Sequence, residues 1–186
     1  MEKICVFCGA NPGTDPIYRK IAEDLGRYLS EENIELIYGG SDTGLMGAVA
    51  NSVLDNQGNV TAVIPRDLKR KMIHKNSSNV IIVDDMSQRK QRMFDLSDAF
   101  ITLPGGYGTL DEIFEMLTLS KLGYHAKPCG FLNVNGFYDS LLDFLDLASR
   151  QGFITPSERS MAFAADNIGD LLKRFQNMEG YQRMRF

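Results

Sequence analysis

Cysteine and histidine are scarce, three and two residues among 186. That is too few for a zinc framework, and an odd number of thiols does not make a secreted disulfide scaffold. No metal site is expected, and the thiols should be free. Cys5 and Cys8 form a C-x-x-C, but inside an apolar run that reads as a strand. Three steps of about 3.3 Å put their Cα atoms roughly 10 Å apart on opposite faces, so bonding them would break the strand. Thioredoxin-type pairs stand at helix N-termini instead. A basic excess is missing too: 20 Lys plus Arg face 24 Asp plus Glu, for a net charge of -4 and a pI near 5.2. Without the electrostatic footprint of a nucleic-acid binder, nucleic acid is excluded as a first expectation. No apolar run approaches the roughly 20 residues of a spanning helix. The opening MEKICVFCG is too short and too soon broken by glycine for a signal peptide. These absences predict a cytoplasmic protein with no membrane partner.

Repeats, low-complexity segments and linkers are also lacking. A chain 44% hydrophobic and 24% charged fits one globular domain over 1–178, with 179–186 as a flexible tail. Short apolar runs alternate with helical patterns. Strands are predicted over 3–7, 35–38, 60–64, 80–83, 99–103 and 130–134. Asp15-Pro16 supplies an N-cap and a proline at the first helical position, and Ile17, Ile21, Leu25 and Leu29 recur on one face. Further helices are predicted over 45–56, 86–97, 110–121, 137–151 and 167–175. Alternation with runs too apolar for a one-sided sheet implies parallel strands covered on both faces. The expected fold is a Rossmann-like, doubly wound α/β sheet. Ligands bind such sheets beyond the carboxyl ends of the strands, which directs attention to the glycine-rich loops after strands two (39–47) and five (104–109).

In Pro104-Gly105-Gly106-Tyr107-Gly108-Thr109, glycines let backbone N–H groups approach an anion, and a helix N-terminus follows with its partial positive charge. A phosphate fits there. Without Gly-Lys-Ser/Thr the loop is no P-loop, and it is not G-x-G-x-x-G, so a single phosphate is expected rather than a triphosphate or NAD. Asp111 and Glu112 fall in the first turn. Glu112 lies within reach of a sugar phosphate, where a carboxylate beside C1′ can polarise water or stabilise an oxocarbenium-like transition state. Arg89-Lys90 opens the helix after strand four; two cations there oppose the dipole unless something negative lies nearby, and the Arg suits bidentate contact.

Residues 104–112 resemble the P-G-G-x-G-T-x-x-E signature of the LOG (Lonely Guy) family, the cytokinin riboside 5′-monophosphate phosphoribohydrolases. Val6-Phe7-Cys8-Gly9, Tyr38-Gly39-Gly40, Gly44-Leu45-Met46-Gly47, Arg89-Lys90, Leu122-Gly123 and Lys127-Pro128 follow in the family's order. The resemblance implies hydrolysis of the N-glycosidic bond of a purine nucleoside 5′-monophosphate to free base and ribose 5-phosphate. It makes Arg89 and Glu112 catalytic. It assigns substrate contacts to Lys90, to the loop of Gly105, Gly106, Tyr107, Gly108 and Thr109, to Asp111 and to Thr118. Met86 is expected as a wall of the base pocket. No cofactor is implied, and the family's older label of lysine decarboxylase finds no pyridoxal phosphate pattern here. The resemblance also implies a homodimer, and the helix 110–121, apolar nearly all round, is expected at its interface.

Three departures from the family pattern stand out. Ser87 and Gln88 replace a His and a Glu beside the Arg; Asp111 shortens a Glu; and Lys71 or Met72 falls where a Glu is expected after Pro65 and Leu68. These raise the alternative of a non-catalytic nucleotide-binding module. His74 and His125 lack partners at ligand spacing and are read as locally hydrogen-bonded.

Overall fold

The structure, a computed structural model, describes residues 1–68 and 77–183, with side chains as far as Met178. Its strands are β1 (Lys3–Phe7), β2 (Glu35–Tyr38), β3 (Val60–Pro65), β4 (Asn79–Val83), β5 (Ala99–Thr102), β6 (Cys129–Leu132) and β7 (Ala162–Ala165). The helices are α1 (Pro16–Glu31), α2 (Gly44–Asp55), α3 (Met86–Leu96), α4 (Tyr107–Lys121), α5 (Asp139–Arg150), α6 (Pro156–Met161) and α7 (Ile168–Arg183), with a 3-10 turn at Val134–Gly136. All adjacent strands pair in parallel, in the order β4-β3-β2-β1-β5-β6-β7. This is the doubly wound sheet the alternation predicts.

Two apolar layers cover it. On one face Leu25 and Leu29 of α1, Val49 and Val53 of α2, and Leu171 and Phe175 of α7 pack on Ile4, Val6, Leu36 and Ile101. On the other, Met93 of α3, Ile113 and Met116 of α4, and Leu145 of α5 pack on Cys5, Phe7, Ile37 and Phe100. Cys5 and Cys8 fall in opposite layers, and all three cysteines are free and buried. Burial pushes each thiol up, out of the nucleophilic range.

The N-cap of α1 is as expected, with Asp15 accepting from the Ile17 N–H at 2.9 Å. Two elements were not anticipated. α6 starts with a Thr155–Glu158 capping box, and β7 is the alanine-rich run AFAA, a composition poor in strand formers. The last helix continues past Phe175, so the tail expected over 179–186 is helical in its backbone to Arg183; residues 184–186 lie outside the described residues. Among the described residues no helix is long and apolar enough to cross a membrane.

The chain order reverses beside β1. Strands β1 to β4 fill one half of the sheet and β5 to β7 the other, so the crevice opens where the loops after β1 and β5 part. The sequence pointed to the loop after β2 instead of the one after β1. That β2 loop is chiefly internal: Gly40 and Gly44 have φ of +87° and +62°, and a Cβ on Gly44 would run into the Ala10 backbone. Gly123 shares the positive φ but has open space around it. Gly123→Ala should therefore cost only the left-handed strain, about 1–2 kcal/mol. Gly44→Ala should cost more, because the backbone of the β1 loop must also move. Chemical denaturation of the two variants checks the order.

Candidate active site

Three segments meet at the switch point. The Gly9 N–H donates to the Pro104 carbonyl at 3.0 Å, and the Gly9 carbonyl accepts from the Leu45 N–H at 3.0 Å, at the start of α2. Tyr138 Oη donates to the Leu103 carbonyl at 2.7 Å, fixing the end of β5 from the other side. Between these ties lies a cavity of about 460 Å³, within the usual size of small-molecule sites. One wall is the 8–13 loop with Tyr18 and Phe137; another is Leu45, Met46, Leu68 and Met86; Arg89, Glu112 and the 104–109 loop close it.

Arg89 and Glu112 are 5% and 8% exposed. Their ion pair, Nη1 to Oε1 at 2.5 Å, joins α3 to α4. Nε of Arg89 donates to the Val63 carbonyl within β3, 3.2 Å away. The guanidinium occupies the space where a side chain on residue 39 would stand, so Gly39 is required by Arg89. Burial holds the Glu112 carboxyl above the usual carboxylate range, and Arg89 opposes that rise. A carboxylate displaced toward neutrality in a cleft is suited to proton transfer.

The other expected site residues divide. Gly105, Gly106, Gly108, Thr109, Asp111 and Met86 line the cavity. Gly105 is tight, since a Cβ there would strike Thr109, but a Cβ on Gly106 or Gly108 would meet nothing within 4 Å. The fold itself does not demand glycine at those two positions. α4 has no side-chain N-cap, so its first-turn N–H groups have no capping acceptor. Tyr107, 96% exposed, is not on the cavity wall. Lys90 is not either: its ammonium pairs with Asp111 Oδ2 at 3.0 Å and Glu115 Oε2 at 2.6 Å, clamping α3 to α4, and the bond to Glu115 pushes its pKa up. Thr118 points away, donating to the Phe114 carbonyl at 2.7 Å beside a second recess with Phe114, Leu117 and Leu145. Sequence reading missed the 9–13 loop, Tyr18 and Phe137 as walls. The only signal was Val6-Phe7-Cys8-Gly9 in the family pattern.

A family model described as "possible lysine decarboxylase" matches residues 46–175. Cytokinin riboside 5′-monophosphate phosphoribohydrolase LOG3 of Arabidopsis thaliana is 46% identical over 176 residues, 94% of this chain and 82% of that protein. LOG7 of the same plant is 45% identical over 179 residues, 96% and 82% of the two. The chain belongs to the LOG family. Molybdenum cofactor proteins share the fold alone: that of Rippkaea orientalis has a TM-score of 0.73 at 20% identity, covering 95% of this chain and 96% of its own. The carrier protein of Chlamydomonas reinhardtii has 0.71 at 16%, covering 96% and 98%. The family model's description implies pyridoxal phosphate, which needs a lysine in the cavity. None of the described lining residues is a lysine, so the described residues do not fit that group.

The departures from the LOG pattern now have locations. Asp85 caps α3, its Oδ1 accepting from the Gln88 N–H at 2.8 Å, and Gln88 Oε1 in turn accepts from the Asp84 N–H just before the helix at 3.1 Å. A Glu there could make the same acceptor bond, as in a capping box. Ser87 sits with Gln88 on a separate groove. Asp111 still reaches Lys90. Lys71, Met72 and His74 lie outside the described residues.

The pair predicts a pH signature. Arg89→Met leaves a buried carboxylate unpaired, which typically costs about 3–5 kcal/mol. With its folded pKa raised further, Glu112 in this variant binds more protons folded than unfolded above the ordinary Glu range. Stability should therefore fall as pH rises through that window. Urea denaturation of Arg89→Met should show a larger deficit at about pH 8 than at about pH 5.

Proposed function

We propose that this LOG-family protein hydrolyses the N-glycosidic bond of a purine nucleoside 5′-monophosphate. The observation that carries the reading is a buried carboxylate, Glu112, one helical turn from an uncapped helix start whose glycines have open space. The phosphate rests on the first-turn N–H groups of α4, between Gly106 and Thr109. The sugar then lies over Glu112, and the base reaches the apolar wall of Leu45, Met46 and Met86. The curated relatives named phosphoribohydrolases support this assignment.

In the reaction, C1′ parts from the base nitrogen and gains positive charge, which the Glu112 carboxylate stabilises. Water adds to C1′ and gives its proton to Glu112, from which the departing base recovers one. The products are free base and ribose 5-phosphate. Arg89 orients the carboxylate and keeps it ionised. The net charge of -4 supports a small-molecule partner in the cytoplasm over nucleic acid or membrane.

Glu112→Gln keeps the shape and removes the charge. Its kcat on AMP should drop roughly 10²–10³-fold with KM little changed, the effect of losing a preorganised electrostatic group worth about 2.7–4 kcal/mol. Asp111→Asn should lose less. Adenosine should be a poor substrate, because the phosphate's remote binding contributes to the transition state. Chromatography of released adenine reads all of these; near-normal kcat in Glu112→Gln would sink the mechanism.

The working unit in this proposal is a homodimer. Support comes from the apolar surface near α4: Leu122, Phe144, Leu147 and Phe153 are exposed beside the recess of Phe114 and Leu117. Thr118 lies on that surface and not on its own chain's cavity. Light scattering at micromolar concentration should give twice the 20.8 kDa chain mass, and Leu117→Asp should lower it to the monomer.

A further inference from the structure

Arg89 and Glu112 ride on different helices, so their meeting depends on how α3 and α4 are spaced. Near the cavity, the helices are joined by the pair itself and by Lys90. Farther along, besides the apolar layer that Met93 shares with Ile113 and Met116, a short polar segment, His125 to Lys127, ties the two helices. The His125 ring stands edge-on to Phe94 in the last turns of α3 and to Phe100 of β5, with centroids 5.2 and 5.9 Å apart. Its Nδ1 accepts from the Lys127 backbone N–H at 3.0 Å. The ring's proton therefore sits on Nε2, which donates to the Met116 carbonyl at 2.8 Å. Lys127 completes the wedge: Nζ donates to the Phe94 carbonyl at 2.6 Å and lies 4.1 Å from that ring's centroid. A cation on the last carbonyls of a helix is favourably placed.

Met116 is one turn from Glu112, and both are on the buried side of α4. One end of the wedge thus fixes α4 a turn from the carboxylate. The other holds the end of the helix whose first turn carries Arg89. Neither His125 nor Lys127 lines the cavity.

We propose that His125 and Lys127 are positioning residues for the Arg89–Glu112 pair, effective while His125 is neutral. Only neutral imidazole offers Nδ1 as an acceptor; protonated, it presents N–H to N–H, and the bond to Lys127 is lost. The charged groups around the wedge are the Lys127 ammonium on its own segment, Asp95 of α3 and Asp98 before β5, with the Cys5 thiol on β1. Burial lowers the His125 pKa, and the nearby Lys127 charge acts the same way, so the wedge is intact through neutral pH. Opening it lets Arg89 drift from Glu112. The carboxyl then loses the cation that opposes its rise and titrates at higher pH. The inference rests on the hydrolase reading for its effect on turnover, not for its effect on Glu112.

The test compares wild type with His125→Ala and Lys127→Met, following the Glu112 carboxyl by carbon-13 NMR and base release from AMP across acid to neutral pH. Both variants should titrate Glu112 higher, by about one pH unit, a tenfold change in its ionisation constant. The acid limb of kcat should move with it, while KM for AMP changes little. His125→Asn, whose Oδ1 can take the Lys127 N–H, should recover part of the shift. An unmoved Glu112 midpoint in either variant, with cooperative unfolding retained, overturns the proposal. So does nitrogen-15 NMR of the wild type placing the ring proton on Nδ1, a measurement that stands even if both variants fail to fold. If wild type releases no base from any nucleotide, the hydrolase reading falls, and the Glu112 titration still decides the role of His125.

Discussion

Arg89 and Glu112 are charged, opposed and almost out of water, and much of the surrounding sequence exists to make that tolerable. Removing two ions from solvent costs several kcal/mol each, recovered only with good geometry and further hydrogen bonds. Here the Val63 carbonyl takes Nε of Arg89, and Gly39 leaves the room the guanidinium fills. The pair also explains what lies beside it. Lys90 does not bring a second free cation to the cavity, because Asp111 and Glu115 neutralise it on the outer side of α4. The basic pair at the start of α3 is thus matched, residue by residue, with acids from the next helix. The local conflict with the helix dipole is resolved by tertiary structure.

Most of the sheet was legible because its strands are rich in Val, Ile, Phe and Leu and its helices carry apolar stripes. β7 was not, since Ala162, Ala164 and Ala165 carry almost no strand preference, and their pairing with β6 is set by where the chain returns. Strand order was equally hidden. Nothing in the residues before or after β1 marks it as the strand beside which the order reverses, so the wall formed by residues 9–13 was passed over. Arg89 and Glu112 were legible as types at the carboxyl ends of strands. That they touch was not, because their 23-residue separation says nothing about the distance between α3 and α4.

Sequence pattern also misleads when one motif mixes binding and support. Met86-Ser87-Gln88-Arg89-Lys90 reads as one unit, yet its side chains part in every direction. Met86 and Arg89 enter the cavity, Ser87 and Gln88 face another groove, and Lys90 turns to α4. Replacing the family's Glu by Gln88 preserves an acceptor for the Asp84 N–H at the entry to α3. The departures at Ser87 and Gln88 therefore fall on scaffolding, and the buried pair is intact.

The glycines sort by the same physical test. Those at 39, 44, 47 and 105 are small because other parts of the chain fill the space a side chain would need: a guanidinium, the Ala10 backbone, the Asp42 carbonyl and the Thr109 side chain. Those at 106 and 108 face open space, at a helix start whose first-turn N–H groups have no side-chain cap and where Glu112 follows a turn later; α2 lacks a side-chain cap as well, but the Gly9 carbonyl takes its Leu45 and Met46 N–H groups. Internal packing explains the first set and leaves the second without a cause inside the protein. In the proposed reaction the substrate's phosphate, approaching the backbone more closely than any Cβ would allow, supplies that cause. The proposal follows from that contrast, because a phosphate held there puts its sugar over the carboxylate that Arg89 holds in place.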